Sequence, residues 1–74
     1  MRVQHIPRGF PERLGREIYL SELTTIQIAE IIGVERKSIT NWQMGHTCPS
    51  AYHLGKLAKL LGVSTDYLLF GEEK

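Results

Sequence analysis

The run from Thr24 to Gly45, T-T-I-Q-I-A-E-I-I-G-V-E-R-K-S-I-T-N-W-Q-M-G, leaves this 74-residue chain fewer ways to fold than any other segment. Two short helices joined by a tight turn must cross steeply with their backbones nearly touching. That arrangement needs a small side chain inside the first helix and a turn residue free to take positive φ. Ala29 meets the first need, and Gly33, four residues later, meets the second. Ile28, Ile32, Val34, Ile39 and Trp42 fall where apolar anchors must pin both helices to the remainder of the domain. Each feature is common alone, but together at consistent spacing they specify a helix-turn-helix.

The flanking sequence is helical as well. Phe10, Leu14 and Ile18 recur every fourth residue, and Pro11 suits a first helical position, which predicts a helix over 11–21. Gly15 inside it costs about 1 kcal/mol relative to alanine. Thr24 is a good N-cap for a helix over 25–32 that stops at Gly33. A third helix over 36–44 follows Val34 or Glu35 and ends at Gly45. Ser50 caps a fourth, with Ala51, Leu54, Leu57, Ala58 and Leu61 as its apolar stripe and Gly62 as its stop. Ser64 caps a short fifth helix carrying Leu68 and Leu69 and closed by Gly71. No segment alternates polar and apolar residues, so the expected fold is all-α: one compact five-helix domain over 10–71. An irregular N-terminal arm (1–9) and a frayed tail (72–74) flank it.

Composition mainly excludes. With 42% hydrophobic and 23% charged residues the chain reads as globular, not disordered. Cys48 is the only cysteine, which rules out a disulfide framework or a four-cysteine metal site and suits a reducing cytoplasm. The first ten residues hold no apolar run of signal-peptide length, and no segment approaches membrane length. Nine basic and eight acidic residues give a net charge of +1, far from the basicity that announces a nucleic-acid partner. Between Gly33 and Lys59, however, Arg36, Lys37, Lys56 and Lys59 face only Glu35. His46, Cys48 and His53 match no common zinc spacing and lack a fourth ligand. No paired carboxylates, activated nucleophile or phosphate loop suggests an enzyme, and no cofactor or small-molecule site is expected.

With Ile39 and Trp42 turned inward, Arg36, Lys37, Thr40 and Asn41 remain on the outer side of the third helix. Arginine and lysine donate to guanine N7 and O6, and asparagine pairs bidentately with adenine, so these four are the candidate base contacts. Thr25 at the start of the second helix and Ser38 are candidate phosphate contacts, joined by His46 and Thr47 in the following loop. Arg2 and Arg8 in the arm are further candidates for phosphate or minor-groove contact. Ile26 and Ile31 leave two readings open: they enlarge the core, or they face a partner.

Four pieces of sequence carry a resemblance: L-T-x4-A (Leu23 to Ala29), Gly33-Val34, S-I-T-N-W-Q-x-G (Ser38 to Gly45), and L-x-K-L-A-K-L-L-G-V-S-T-D-Y-L-L-F-G (Leu54 to Gly71). In these the chain resembles the lambda-repressor-like family of phage repressors, Cro proteins and related bacterial regulators, over roughly residues 10–71. The resemblance implies a cytoplasmic, nucleoid-associated repressor that inserts its third helix into the major groove of double-stranded operator DNA. It also puts base contacts at the four positions named above. Tyr67 and Phe70 resemble the surface through which such repressors form homodimers on palindromic operators. Larger members continue past the position of Gly71 into a linker and a second domain. Three departures stand out: Thr25 where the family often has glutamine, Glu35 where serine or threonine usually caps the third helix, and Glu17 where an apolar residue is common. The competing expectation is a protein-interaction module, such as an antitoxin-like partner, that uses the same fold without reading DNA.

Overall fold

The computed structural model describes residues 5–72, among which five helices and no strands occur. They are α1 (Phe10–Ser21), α2 (Thr25–Ile32), α3 (Arg36–Met44), α4 (Ala51–Leu61) and α5 (Thr65–Phe70). Their starts follow local side-chain chemistry. Thr24, Ser50 and Ser64 accept from the backbone N–H of Gln27, His53 and Tyr67, satisfying one otherwise orphaned amide in each first turn. At α2 the pairing is reciprocal, because Gln27 Oε1 also accepts from Thr24 N at 2.9 Å. The end of α1 is less favourable. Glu22 holds φ at 64°, a left-handed conformation that glycine adopts without penalty. Ser21 stitches this corner, its hydroxyl donating to Ile18 O and accepting from Leu23 N.

All five helices feed one core. Phe10, Leu14 and Ile18 of α1 meet Ile28, Ala29 and Ile32 of α2, Ile39 and Trp42 of α3, Leu57 and Ala58 of α4, and Leu68 of α5. Helix α2 packs most extensively on α3, while α1 runs against α3, α4 and α5. The apolar stripe of α4 is shorter than expected: Ala51 at its first turn is exposed, leaving Leu54, Leu57, Ala58 and Leu61. Ile26 and Ile31 do not enlarge the core, since both are about half exposed, at 52% and 53%. Glu17 departs in the other direction, with only 6% of its surface left to solvent.

Two long basic side chains act as ties instead of surface charges. Arg13 donates through Nε to Leu68 O (3.0 Å) and through Nη2 to Leu69 O (2.9 Å) and Arg8 O (2.8 Å). It thereby joins the lead-in, α1 and the C-terminal carbonyls of α5, where a cation is also favoured by the helix dipole. Lys56 Nζ donates to Ile32 O at 3.0 Å and does the same for the end of α2. The described part of the arm is irregular but not detached, because Ile6 packs on the core and Pro7 O accepts from Phe10 N. Arg2 lies outside the described residues. Among those residues no helix is long and apolar enough to cross a membrane.

Gly55 sits mid-helix in α4 with nothing within 4 Å of where a Cβ would be. Gly55→Ala should therefore stabilise the domain by about 1 kcal/mol and raise its Tm by roughly 4–8 °C. Thermal unfolding followed by circular dichroism measures this, and a lower Tm would refute it.

Candidate nucleic-acid interface

The α2–α3 corner is built around one carbonyl. Ala29 O accepts from Gly33 N at 2.8 Å and from Val34 N at 3.0 Å, closing α2 over a left-handed Gly33 (φ 90°). Val34 and Glu35 carry the chain directly into α3. The far end of α3 is fixed as firmly. Gly45, at φ 77°, lies so close to α1 that a Cβ there would sit 3.2 Å from Pro11 Cγ. His46 N donates to Asn41 O at 2.9 Å. Beyond the loop, the His53 ring of α4 lies 6.0 Å from the Trp42 ring, and its Nδ1 is 3.2 Å from Ser50 Oγ.

With both ends held, Ile39 and Trp42 are buried and the opposite side of α3 is open. Arg36, Lys37 and Thr40 are exposed and Asn41 is half-buried at the margin. At 3.6 residues per turn the four share an arc of roughly 140°. The structure thus brings all four candidate base contacts onto one continuous face. Thr40 Oγ1 leans back to Arg36 O at a long 3.4 Å. Between Thr40 and Lys37 on that arc lies Met44, 63% exposed, a fifth side chain on the face. Its position is recoverable from sequence, since 37, 40, 41 and 44 obey helical spacing, but a methionine ordinarily reads as core.

The remaining candidates are more scattered. Thr25 stands in the first turn of α2 and Ser38 in the first turn of α3, both half-buried. His46 and Thr47 are exposed in the loop after α3. Tyr67 is half-buried against the core, whereas Phe70 is 64% exposed at the end of α5. The basic cluster counted along the sequence divides in space. Arg36 and Lys37 are exposed at the start of α3, Lys56 is committed to α2, and Lys59 lies in the last turn of α4. No three His, Cys, Asp or Glu side chains among the described residues are placed to hold a metal ion. Cys48 is partly buried against the core, and this desolvation pushes its thiol above the ordinary thiol range.

The fold and this open helix face define the class. A family model described as helix-turn-helix matches residues 16–68, and the chain belongs to that family. It is 34% identical over 62 residues to a prophage-derived HTH-type transcriptional regulator, YonR, of Bacillus subtilis, covering 84% of this chain. It is 36% identical over 64 residues to the transcriptional activator BcrR of Enterococcus faecalis, covering 86% of this chain. The matched stretch spans 57% of YonR and 31% of BcrR, so both relatives are longer proteins. Among solved structures, the P22 c2 repressor in complex with a synthetic operator superposes with a TM-score of 0.81 at 28% identity. That superposition covers 85% of this chain and 96% of the repressor chain.

One local defect lies at the edge of the interface. Glu35 is the N-cap of α3 but makes no side-chain cap, because its carboxylate is one methylene too long to turn back on the helix start. Glu35→Ser should add the missing bond and stabilise the fold by about 0.5–2 kcal/mol, read from urea unfolding at constant m-value.

Proposed function

We propose that this chain is the DNA-binding unit of a transcriptional regulator of the phage, prophage or bacterial repressor type. It lays α3 in the major groove of a specific operator. The observation that carries this reading is the outward face of α3, which is polar, basic at its start, and open to solvent except at its half-buried margin, Asn41. Its likeness to a repressor solved on its operator supports the same docking. In this reading Arg36 and Lys37 donate to guanine edges, Asn41 pairs with adenine, and Thr40 offers its methyl or hydroxyl. Thr25, Ser38, His46 and Thr47 touch phosphates and set the register without reading sequence. Exposed Arg8 adds a charge from the lead-in. The regulator works in the cytoplasm, at the nucleoid, with no cofactor.

Selection from random duplex DNA should enrich one motif, with log K falling linearly against log salt. Arg36→Ala and Asn41→Ala should each cost about 1–3 kcal/mol and relax base preference at a single position. Thr25→Ala should weaken all sequences alike. If nothing enriches and every duplex binds equally poorly, the fold serves only as a protein-interaction module.

The reading extends to pairing. Phe70, exposed beside half-buried Tyr67, is the apolar patch on which a second copy would close a two-fold dimer. Two α3 helices would then stand about 34 Å apart, one duplex turn, and the operator would be palindromic. Light scattering should give a dimer, at least on DNA, that Phe70→Ser dissociates without unfolding the domain. A monomer in both states would overturn the pairing and leave base reading untouched.

A further inference from the structure

A cleft of about 230 Å³ opens between the end of α2 and the C-terminal half of α4, lined by Ile31, Ile32, Leu60 and the side chains of Lys56 and Lys59. Its walls are almost wholly aliphatic, the lysines included. Ile31 is 53% exposed there, although nothing in an isolated helix favours a β-branched residue over glutamate or lysine at a wet position. The lysines are not equivalent. Lys56 is held, its ammonium bonded to Ile32 O and lying 4.9 Å from the centre of the Tyr52 ring. Lys59, nearly one turn later, is exposed on the rim. The cleft also stands at the opposite end of α2 from Thr25, roughly 9 Å along the helix axis, so an occupant need not displace DNA from the α2 start.

We infer that this cleft is a docking site for an amphipathic helix of another protein. That helix would bury an apolar side chain of leucine size against Ile31 and Leu60 and bring a carboxylate to Lys59. Charge selects this occupant. An apolar floor with the one uncommitted ammonium of Lys59 at its rim favours an acidic amphipathic segment over a basic one. The volume admits one or two anchoring side chains, so the interface is small and the complex weak and reversible. The inference does not depend on which operator α3 reads, or on whether it reads one.

The probe is a synthetic amphipathic helical peptide with leucines at i, i+3 and i+7 and glutamates beside them. It is titrated into the full chain and followed by two-dimensional amide NMR. Shifts should centre on Ile31, Ile32, Lys56, Lys59 and Leu60, and the same peptide with lysines in place of the glutamates should bind about tenfold more weakly. Ile31→Glu, a change at an exposed position, should abolish binding while the thermal transition stays unchanged. Lys59→Glu should reverse the preference so that the lysine peptide binds better. Shifts elsewhere, no discrimination between the two peptides, or self-association through the cleft would each overturn the proposal. Arg36→Ala, which weakens base reading, should leave peptide binding unaffected, so the two readings fail independently.

Discussion

Ala29, buried inside α2, leaves room for α3 to pack closely, and its carbonyl closes the C-cap of α2 by accepting from both amides of the turn, Gly33 and Val34. A larger side chain at this buried position would push the helices apart and change their crossing angle. That angle decides which residues of α3 point inward. With Ile39 and Trp42 committed to the core beneath Phe10, Leu14 and Ile18, the rotation of α3 about its axis is fixed. Its polar face then points outward as a consequence of packing.

The periphery holds that geometry in place with long side chains. Arg13 gathers three carbonyls from the lead-in and α5, and Lys56 bridges α4 to the end of α2. Each replaces a helix-terminal carbonyl's water with a charge-assisted bond, a stronger contact than a neutral one. In a domain of this size such ties carry weight, because the buried core alone supplies only a few kcal/mol of net stability. They also remove charge from the surface. An interface estimated from the basic residues between Gly33 and Lys59 is therefore reduced, in space, to Arg36, Lys37 and the polar groups beside them.

Most of the helical framework was legible in sequence. The starts at Thr24, Ser50 and Ser64 and the glycine stops after α2, α3, α4 and α5 fall where local chemistry places them. So do the buried positions of α1 and the four residues on the outer arc of α3. Other features were not legible. Ala51 belongs by spacing to the α4 stripe yet lies outside it, Glu17 is buried, and Ile26 and Ile31 are exposed. Met44 shares the polar face although its side chain suggests a core residue. Residue type is a weak guide at such positions, since burial depends on what the neighbouring helix offers there.

The sequence by itself determined where each helix begins and ends and which stripe of it is apolar, because caps, stops and helical period act within about four residues of chain. Only the tertiary structure decided which polar side chains remain available for recognition. Lys56 finds its acceptor 24 residues away and Arg13 finds two at separations of 55 and 56. No local pattern records a partner at that distance, and a lysine bound to a carbonyl reads in sequence like a lysine open to solvent. The cleft beside Ile31 has the same origin, since its walls come from α2 and α4 and exist only once those helices meet.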